Sequence, residues 1–179
     1  MVTIFAANNA EVYQQHMGRW SRRLAVGFTE FAAIGNPGSI LDVGCGTGSL
    51  TFQLAERFPH ALLTGIDFSQ SYIDFARAYA LDRHISFEQG DAAAMRYPDQ
   101  AFDSALSLLV LNFVPEAEKA AREMARVTKG GGVVAAALWL LRCGIFAEGC
   151  PIRGCYLIRQ PCSIRSTETP REPKCFQRH

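Results

Sequence analysis

Strand-like and helix-like segments alternate from residue 38 to residue 139, and this restricts the fold more than any other feature. "SILDV" is a short apolar run of the kind a buried strand shows. Leu50, Leu54 and Phe58 follow at helical spacing, and Pro59 stops that helix. "ALLTGID" predicts a second strand, and Ser69 is the N-cap of a helix running to about Leu81. "HISFEQGD" and "FDSALSLLV" predict strands three and four. Pro115 opens a helix with Ala117, Ala120, Ala121, Met124 and Val127 on its inner face, and "GGGVVAAALW" turns into a fifth strand. Alternation of this kind predicts an α/β fold with a parallel sheet and helices on both faces. Upstream, apolar residues from Val12 to Phe31 keep helical spacing, and "GNPG" at 35–38 is a stop and a turn.

Ligands of open parallel sheets sit at the carboxyl ends of the strands. The first strand runs there into "ILDVGCGTGSL", with glycines at 44, 46 and 48. A triphosphate loop requires GxxxxGK[ST], and no lysine follows. A dinucleotide fingerprint is GxGxxG, whereas the spacing here is GxGxG. Asp42, two residues before the first glycine, would repel a pyrophosphate. It suits a ligand that carries an ammonium there, and a charge-assisted hydrogen bond of that kind is worth about 1.5–3 kcal/mol.

Two more carboxylates close successive strands. Asp67 ends the second strand, where an acid can accept from ribose hydroxyls, and Asp91 ends the third in "QGDAA". Each alone reads more readily as a strand-end cap or a solvated turn residue than as a ligand contact. Three at successive strand ends fit S-adenosylmethionine, with its ammonium, ribose and adenine.

The motifs "LDVGCGTG", "GIDFS", "GDA", "YPDQAFD" and "EMARVTKGGG" resemble, in order, those of class I S-adenosylmethionine-dependent methyltransferases, the small-molecule "type 11" group above all. The resemblance covers about residues 12–139, and "YQQHMGRWSRRLA" is similar to the lead-in helix of a bacterial subset. It implies a Rossmann-like sheet of order 3-2-1-4-5 and S-adenosylmethionine as cofactor. By resemblance, Gly44, Cys45, Gly46 and Gly48 shape the methionine end with Asp42 at its base. Asp67 takes the ribose hydroxyls, Phe68 packs on adenine, Asp91 and Ala92 hold its edge, and Ser107 and Leu108 lie under the methionine moiety. Gly130 stands where the family usually has proline. Residues 9–34 would form a helical lid carrying Tyr13, His16, Arg19 and Trp20, with Arg19 reaching the cofactor carboxylate. Core packing and a solvated arginine explain the same helix. Asn112 is either acceptor-facing or an N-cap before Pro115.

The sequence offers no Ser/His/Asp relay and no metal spacing, so no catalytic residue and no metal ligand is assigned. A net charge of +1 recruits neither nucleic acid nor an anionic membrane. No apolar run approaches the roughly 18 residues of a membrane span, and no signal peptide is evident. The expectation is a cytoplasmic enzyme that methylates a small molecule, its oligomeric state unspecified. Two alternatives are a non-catalytic remnant that still binds cofactor and an NAD-linked oxidoreductase, which the glycine spacing and Asp42 oppose.

Past Trp139 the character changes. Residues 1–139 carry 11 Lys/Arg and 14 Asp/Glu, whereas residues 140–179 carry 7 and 3, with five of the six cysteines (Cys143, Cys150, Cys155, Cys162, Cys175) and half the prolines. The cysteine spacing matches neither a zinc site nor a disulfide framework. The expectation is an irregular or disordered tail at 140–179, from truncation or a frameshift, lacking the family's usual sixth and seventh strands. The apolar fifth strand would then be an open edge that invites aggregation.

Overall fold

The computed structural model describes residues 18–80, 82–139 and 155–161, without the side chains of Arg19, Trp139 and 155–161. Tyr13, His16, the start of the lid, the Arg19 side chain, Leu81, and Cys143, Cys150, Cys162 and Cys175 lie outside that set.

The elements in chain order are α1 (Gly18–Ala32), β1 (Ser39–Val43), α2 (Ser49–Arg57), β2 (Leu62–Asp67), α3 (Gln70–Tyr79), β3 (Ile85–Gln89) and β4 (Phe102–Leu108). A 3-10 turn (Leu111–Phe113), α4 (Ala117–Val127), β5 (Thr128–Trp139) and β6 (Cys155–Pro161) follow. The sheet order is β3-β2-β1-β4-β5-β6. The first five strands are parallel, in the 3-2-1-4-5 order of a Rossmann-like fold. β1 lies at the centre, so its carboxyl end faces the point where the winding reverses.

Two apolar layers sandwich the sheet. On one side Leu24, Ala25 and Phe28 of α1 and Leu50 and Leu54 of α2 pack with Ile40, Leu63 and Leu106. On the other, Met124 and Val127 of α4 join Leu41, Val43, Ile66 and Met95. The inner face of α4 is Ala120, Met124 and Val127; Ala121 is exposed, against expectation, because it sits one residue round from that stripe. The helix begins at Ala117 with Glu116 as its N-cap, so Asn112, in the 3-10 turn, is not its cap.

The expected open edge at β5 is not observed. β6 pairs antiparallel with it from Val133↔Pro161 to Trp139↔Cys155. The expectation failed because "CYLIRQP" has no strict alternation, whereas β5 offers a full row of backbone donors and acceptors to any extended segment that reaches it. The irregular tail is thus corrected at 155–161. The other edge strand, β3, is partly covered: Arg77 of α3 donates from Nε and Nη2 to the Phe87 carbonyl at 3.0 and 2.7 Å.

Candidate functional site

The glycine turn leaves β1 at Val43 and hooks onto β2, where the N–H groups of Gly44 and Cys45 both donate to Ile66 O, at 2.8 and 2.9 Å. Gly44 has φ 74° and Gly48 φ 87°, a region that side chains disfavour. Space excludes a side chain at both positions as well: a Cβ on Gly44 would run into Val110, and one on Gly48 would lie 2.6 Å from the Phe52 ring. Cys45 is 6 % exposed and packs with Ile73, Ala76 and Phe87, and burial pushes its thiol pKa up. It is a small space-filler.

Asp42 is 1 % exposed. The Thr51 hydroxyl donates to Oδ2 at 2.6 Å, and the Thr51 backbone N–H also reaches the carboxyl. Thr51 is the third residue of α2, and Gly48 at the N-cap supplies no side-chain bond. A strand carboxylate therefore caps the helix in place of an ordinary N-cap side chain. Oδ1 is buried with no partner among the described residues. Burial, reinforced by the charge of Asp67 and opposed by Thr51, pushes the Asp42 pKa up to about 7.

Asp67 closes β2 facing the same turn. Its Oδ2 accepts from Gly46 N–H at 2.9 Å and its Oδ1 from Ser69 N–H at 2.8 Å. Burial raises its pKa, and these two N–H groups oppose the rise. Phe68, next in the chain, is 81 % exposed, and Gln89 holds its carbonyl at 3.0 Å. An aromatic ring that exposed, on a backbone that constrained, has no packing reason to be there. Asp91 is exposed and closes its own turn, Oδ1 accepting from Ala93 N–H at 2.8 Å; Ala92 packs against the cluster beneath it.

Ser107 is fully buried, and its hydroxyl donates to Val43 O at 2.9 Å. That hydroxyl joins β4 to β1 rather than turning to a ligand. Leu108 does line the cleft. An open cleft of about 300 Å³ is bounded by Ser21, Asp42, Gly44–Thr47, Ser49, Leu50 and Leu108. Asp42, the glycine turn and Leu108 therefore meet at one place. Asp67 touches the turn from behind, and Phe68 and Asp91 stand at the neighbouring strand ends.

Three contributors escaped the sequence reading. Thr51 holds Asp42, Val110 packs on Gly44, and Ser21 brings α1 to the cleft. Only Ser21 left a trace: it is one of two polar residues, with Thr29, on the buried stripe of Leu24, Ala25 and Phe28. Among the described residues no group of three His, Cys, Asp or Glu could hold a metal ion, and no helix is long and apolar enough to cross a membrane.

Residues 40–132 match the family described as "Methyltransferase domain". A demethylmenaquinone methyltransferase of Lactobacillus johnsonii is 39 % identical over 99 residues, 52 % of this chain and 41 % of that protein. The ajmaline N-methyltransferase of Rauvolfia serpentina is 36 % identical over 102 residues, 55 % of this chain and 35 % of its own. Among solved structures, the [4+2]-cyclase SpnF is 32 % identical with a TM-score of 0.62, covering 72 % of this chain and 48 % of that one. The chain spans less than half the length of these relatives. With more than half of its residues inside the family match and the 3-2-1-4-5 parallel sheet around it, the chain belongs to the methyltransferase domain family.

Proposed function

We propose that this chain binds S-adenosylmethionine along the carboxyl ends of β1 to β3 and presents its methyl group to a small-molecule acceptor. The observation that carries the reading is the Asp42 carboxyl: buried, lining the cleft, held on one oxygen by Thr51 and unpartnered on the other. A buried unmatched acceptor costs stability, and the α-ammonium of the cofactor is the complementary donor. The same carboxyl opposes a pyrophosphate, which disfavours the NAD-linked alternative.

Each residue then has a stated task. Asp42 accepts from the ammonium. Gly44 and Gly48 keep the backbone free of side chains where the ligand approaches, and the Asp67 bond to Gly46 N–H fixes the turn at its middle. Asp67 retains lone pairs for the ribose hydroxyls, Phe68 offers an aromatic face to adenine, and Asp91 and Ala92 stand at its edge. Cys45 and Leu108 add apolar wall. Ser107 supports the floor through Val43. When bound, the sulfonium supplies the methyl group by direct displacement. The protein's contribution is orientation, which in well-aligned cases lowers a barrier by about 7–11 kcal/mol. No side chain here is assigned as a base.

Demethylmenaquinone and ajmaline, named for the two curated relatives, are both small molecules, which supports a small-molecule acceptor. A second reading is cofactor binding without methyl transfer. Titration with S-adenosylhomocysteine and, separately, NADH tests the first. Saturable binding of S-adenosylhomocysteine, weakened by Asp67→Ala, is expected; no binding by the wild type, or tighter binding of NADH, overturns it. Binding with no transfer to any quinol, amine or carboxylate acceptor favours the second reading.

A further inference from the structure

A single guanidinium organises the segment between β3 and β4. Arg126, near the end of α4, grips Glu123 with two parallel bonds, Nε to Oε1 at 2.7 Å and Nη2 to Oε2 at 2.8 Å. Its remaining donors leave the helix. Nη1 donates to Tyr97 O and to Asp99 Oδ1, both at 2.8 Å, and Nη2 to Met95 O at 3.1 Å. Glu123 completes the clamp by accepting from Met95 N–H at 2.9 Å. Met95 is thus held at both its backbone groups by side chains of α4. Its own side chain is 7 % exposed and sits among Leu41, Val43, Ile66 and Met124, with Ala92 packed on the same cluster.

The clamped segment begins with Asp91 and Ala92. Asp91 starts a turn in which Ala93 N–H bonds its side chain and Ala94 N–H its carbonyl, at 2.8 and 3.0 Å. Met95 is the next residue, so the turn is fixed from behind at the first position after it closes. No strand ladder reaches residues 91–99, since β3 ends at Gln89 and β4 starts at Phe102. The conformation of Asp91 therefore depends on its own turn and on this clamp. A lysine could pair with Glu123, but it has no planar fork to span two carbonyls and two carboxylates at once.

We propose that Arg126 and Glu123 are positioning residues for the adenine end of the cofactor site: from α4 they fix the turn that carries Asp91 and Ala92, and so set selectivity for a 6-aminopurine. This rests on the reading of Asp91 and Ala92 as the adenine edge. Neither Arg126 nor Glu123 contacts the ligand; both act through Met95.

The test compares wild type, Arg126→Lys and Glu123→Gln by calorimetry with S-adenosylhomocysteine and with S-inosylhomocysteine, which replaces the adenine amino group by a carbonyl. Asp103→Asn is the control. Asp103 joins Gly38, Ser39 and Lys129 at the amino ends of the strands, away from the cleft. Arg126→Lys is expected to weaken S-adenosylhomocysteine by about tenfold, the scale of one lost charge-assisted hydrogen bond. Preference over the inosyl ligand should shrink, and amide hydrogen exchange at residues 91–99 should quicken. Asp103→Asn should lower the melting temperature yet keep affinity and preference. Wild-type preference in Arg126→Lys, or an equal loss in Asp103→Asn, overturns the positioning role alone. A wild type that binds neither ligand overturns the cofactor reading, and this role with it.

Discussion

Thr51 donates its hydroxyl to Asp42 Oδ2 at 2.6 Å, joining the third residue of α2 to the last but one of β1, while Asp42 Oδ1 has no partner among the described residues. One carboxyl thus caps a helix with one oxygen and leaves the other buried and unmatched beside the cleft that Asp42 lines. Its pKa, near 7, means that it is about half protonated at neutral pH.

Proton-linked binding follows from that state. A cationic ammonium favours the ionised carboxyl, so binding drives a proton off Asp42. Affinity for S-adenosylhomocysteine should be highest near pH 8, where Asp42 is ionised and the ligand's ammonium still carries its proton. Below about pH 7 it should fall, approaching tenfold per unit as the neutral form dominates. Calorimetry in buffers of differing ionisation enthalpy should show about half a proton released at pH 7. In Asp42→Asn both the slope and the proton release should vanish, with weaker binding throughout. A slope that survives in Asp42→Asn would assign it to another group.

The same carboxyl costs stability, with a definite sign. Its folded pKa of about 7 lies above the ordinary 3.8, so between those values the native state binds more protons than the unfolded one. Stability therefore decreases as pH rises through that window, by up to about 4 kcal/mol for a shift of three units. Asp42→Asn should melt higher than wild type at pH 8, and the gap should narrow or reverse near pH 4. Thermal unfolding across that range reads it directly. An equal gap at both ends would mean the carboxyl is not protonated in the fold.

How far the site could be read from the chain depends on what each residue needs. Gly44 and Gly48 were legible because positive φ and close neighbours both demand glycine. The placing of Asp42, Asp67 and Asp91 at neighbouring strand ends was legible because parallel strands end side by side, although only Asp42 lines the cleft. The Thr51 cap was not: it joins residues nine apart through the angle at which α2 leaves the turn, and no spacing rule encodes that angle. Ser107 was placed under the ligand by resemblance, yet its hydroxyl is spent on Val43, a contact that exists only across two strands. β6 was missed because a strand at an edge is selected by its partner more than by its own pattern.

Gly48→Ala adds two separable penalties. The left-handed backbone costs a side chain about 1 kcal/mol or more, and the Cβ presses on the Phe52 ring at 2.6 Å for a further 1–3 kcal/mol. Urea unfolding should show a total loss of about 2–4 kcal/mol. Combined with Phe52→Leu, the steric part should be relieved and the backbone part retained, so the double variant should lose less than the sum of the singles. Strict additivity would mean that the Phe52 ring yields freely and only the φ strain counts.

Removing residues 140–179 strips β6 from β5 and frees the backbone along Val133–Trp139. The exposed edge carries "VVAAALW", apolar and without charge, the kind of strand that pairs with other copies. Light scattering should show the shortened chain aggregating at concentrations where the full chain stays monodisperse. A Lys substitution at Ala136, in the middle of the new edge, should not help, because that side chain is only 7 % exposed in the full chain and a buried charge is costly. Equal behaviour of the two chains would mean that β6 does not protect the edge.

Phe68 should separate binding from folding. It is 81 % exposed and follows Asp67, whose carboxylate fixes the turn on one side and Ser69 N–H on the other. Its ring contributes little to the core, so Phe68→Ala should leave the melting temperature within the small range of ordinary surface changes, about 0.5 kcal/mol. Stacking of a base on an aromatic ring is worth about 1–3 kcal/mol, so the same change should weaken S-adenosylhomocysteine by roughly 5- to 150-fold. 5′-Methylthioadenosine, which lacks the amino-acid end, should lose the same factor, because the penalty belongs to adenine. Phe68→Tyr should restore most of the affinity. A loss of melting temperature without loss of affinity would instead make Phe68 part of the fold, and would remove the adenine face from the proposed site.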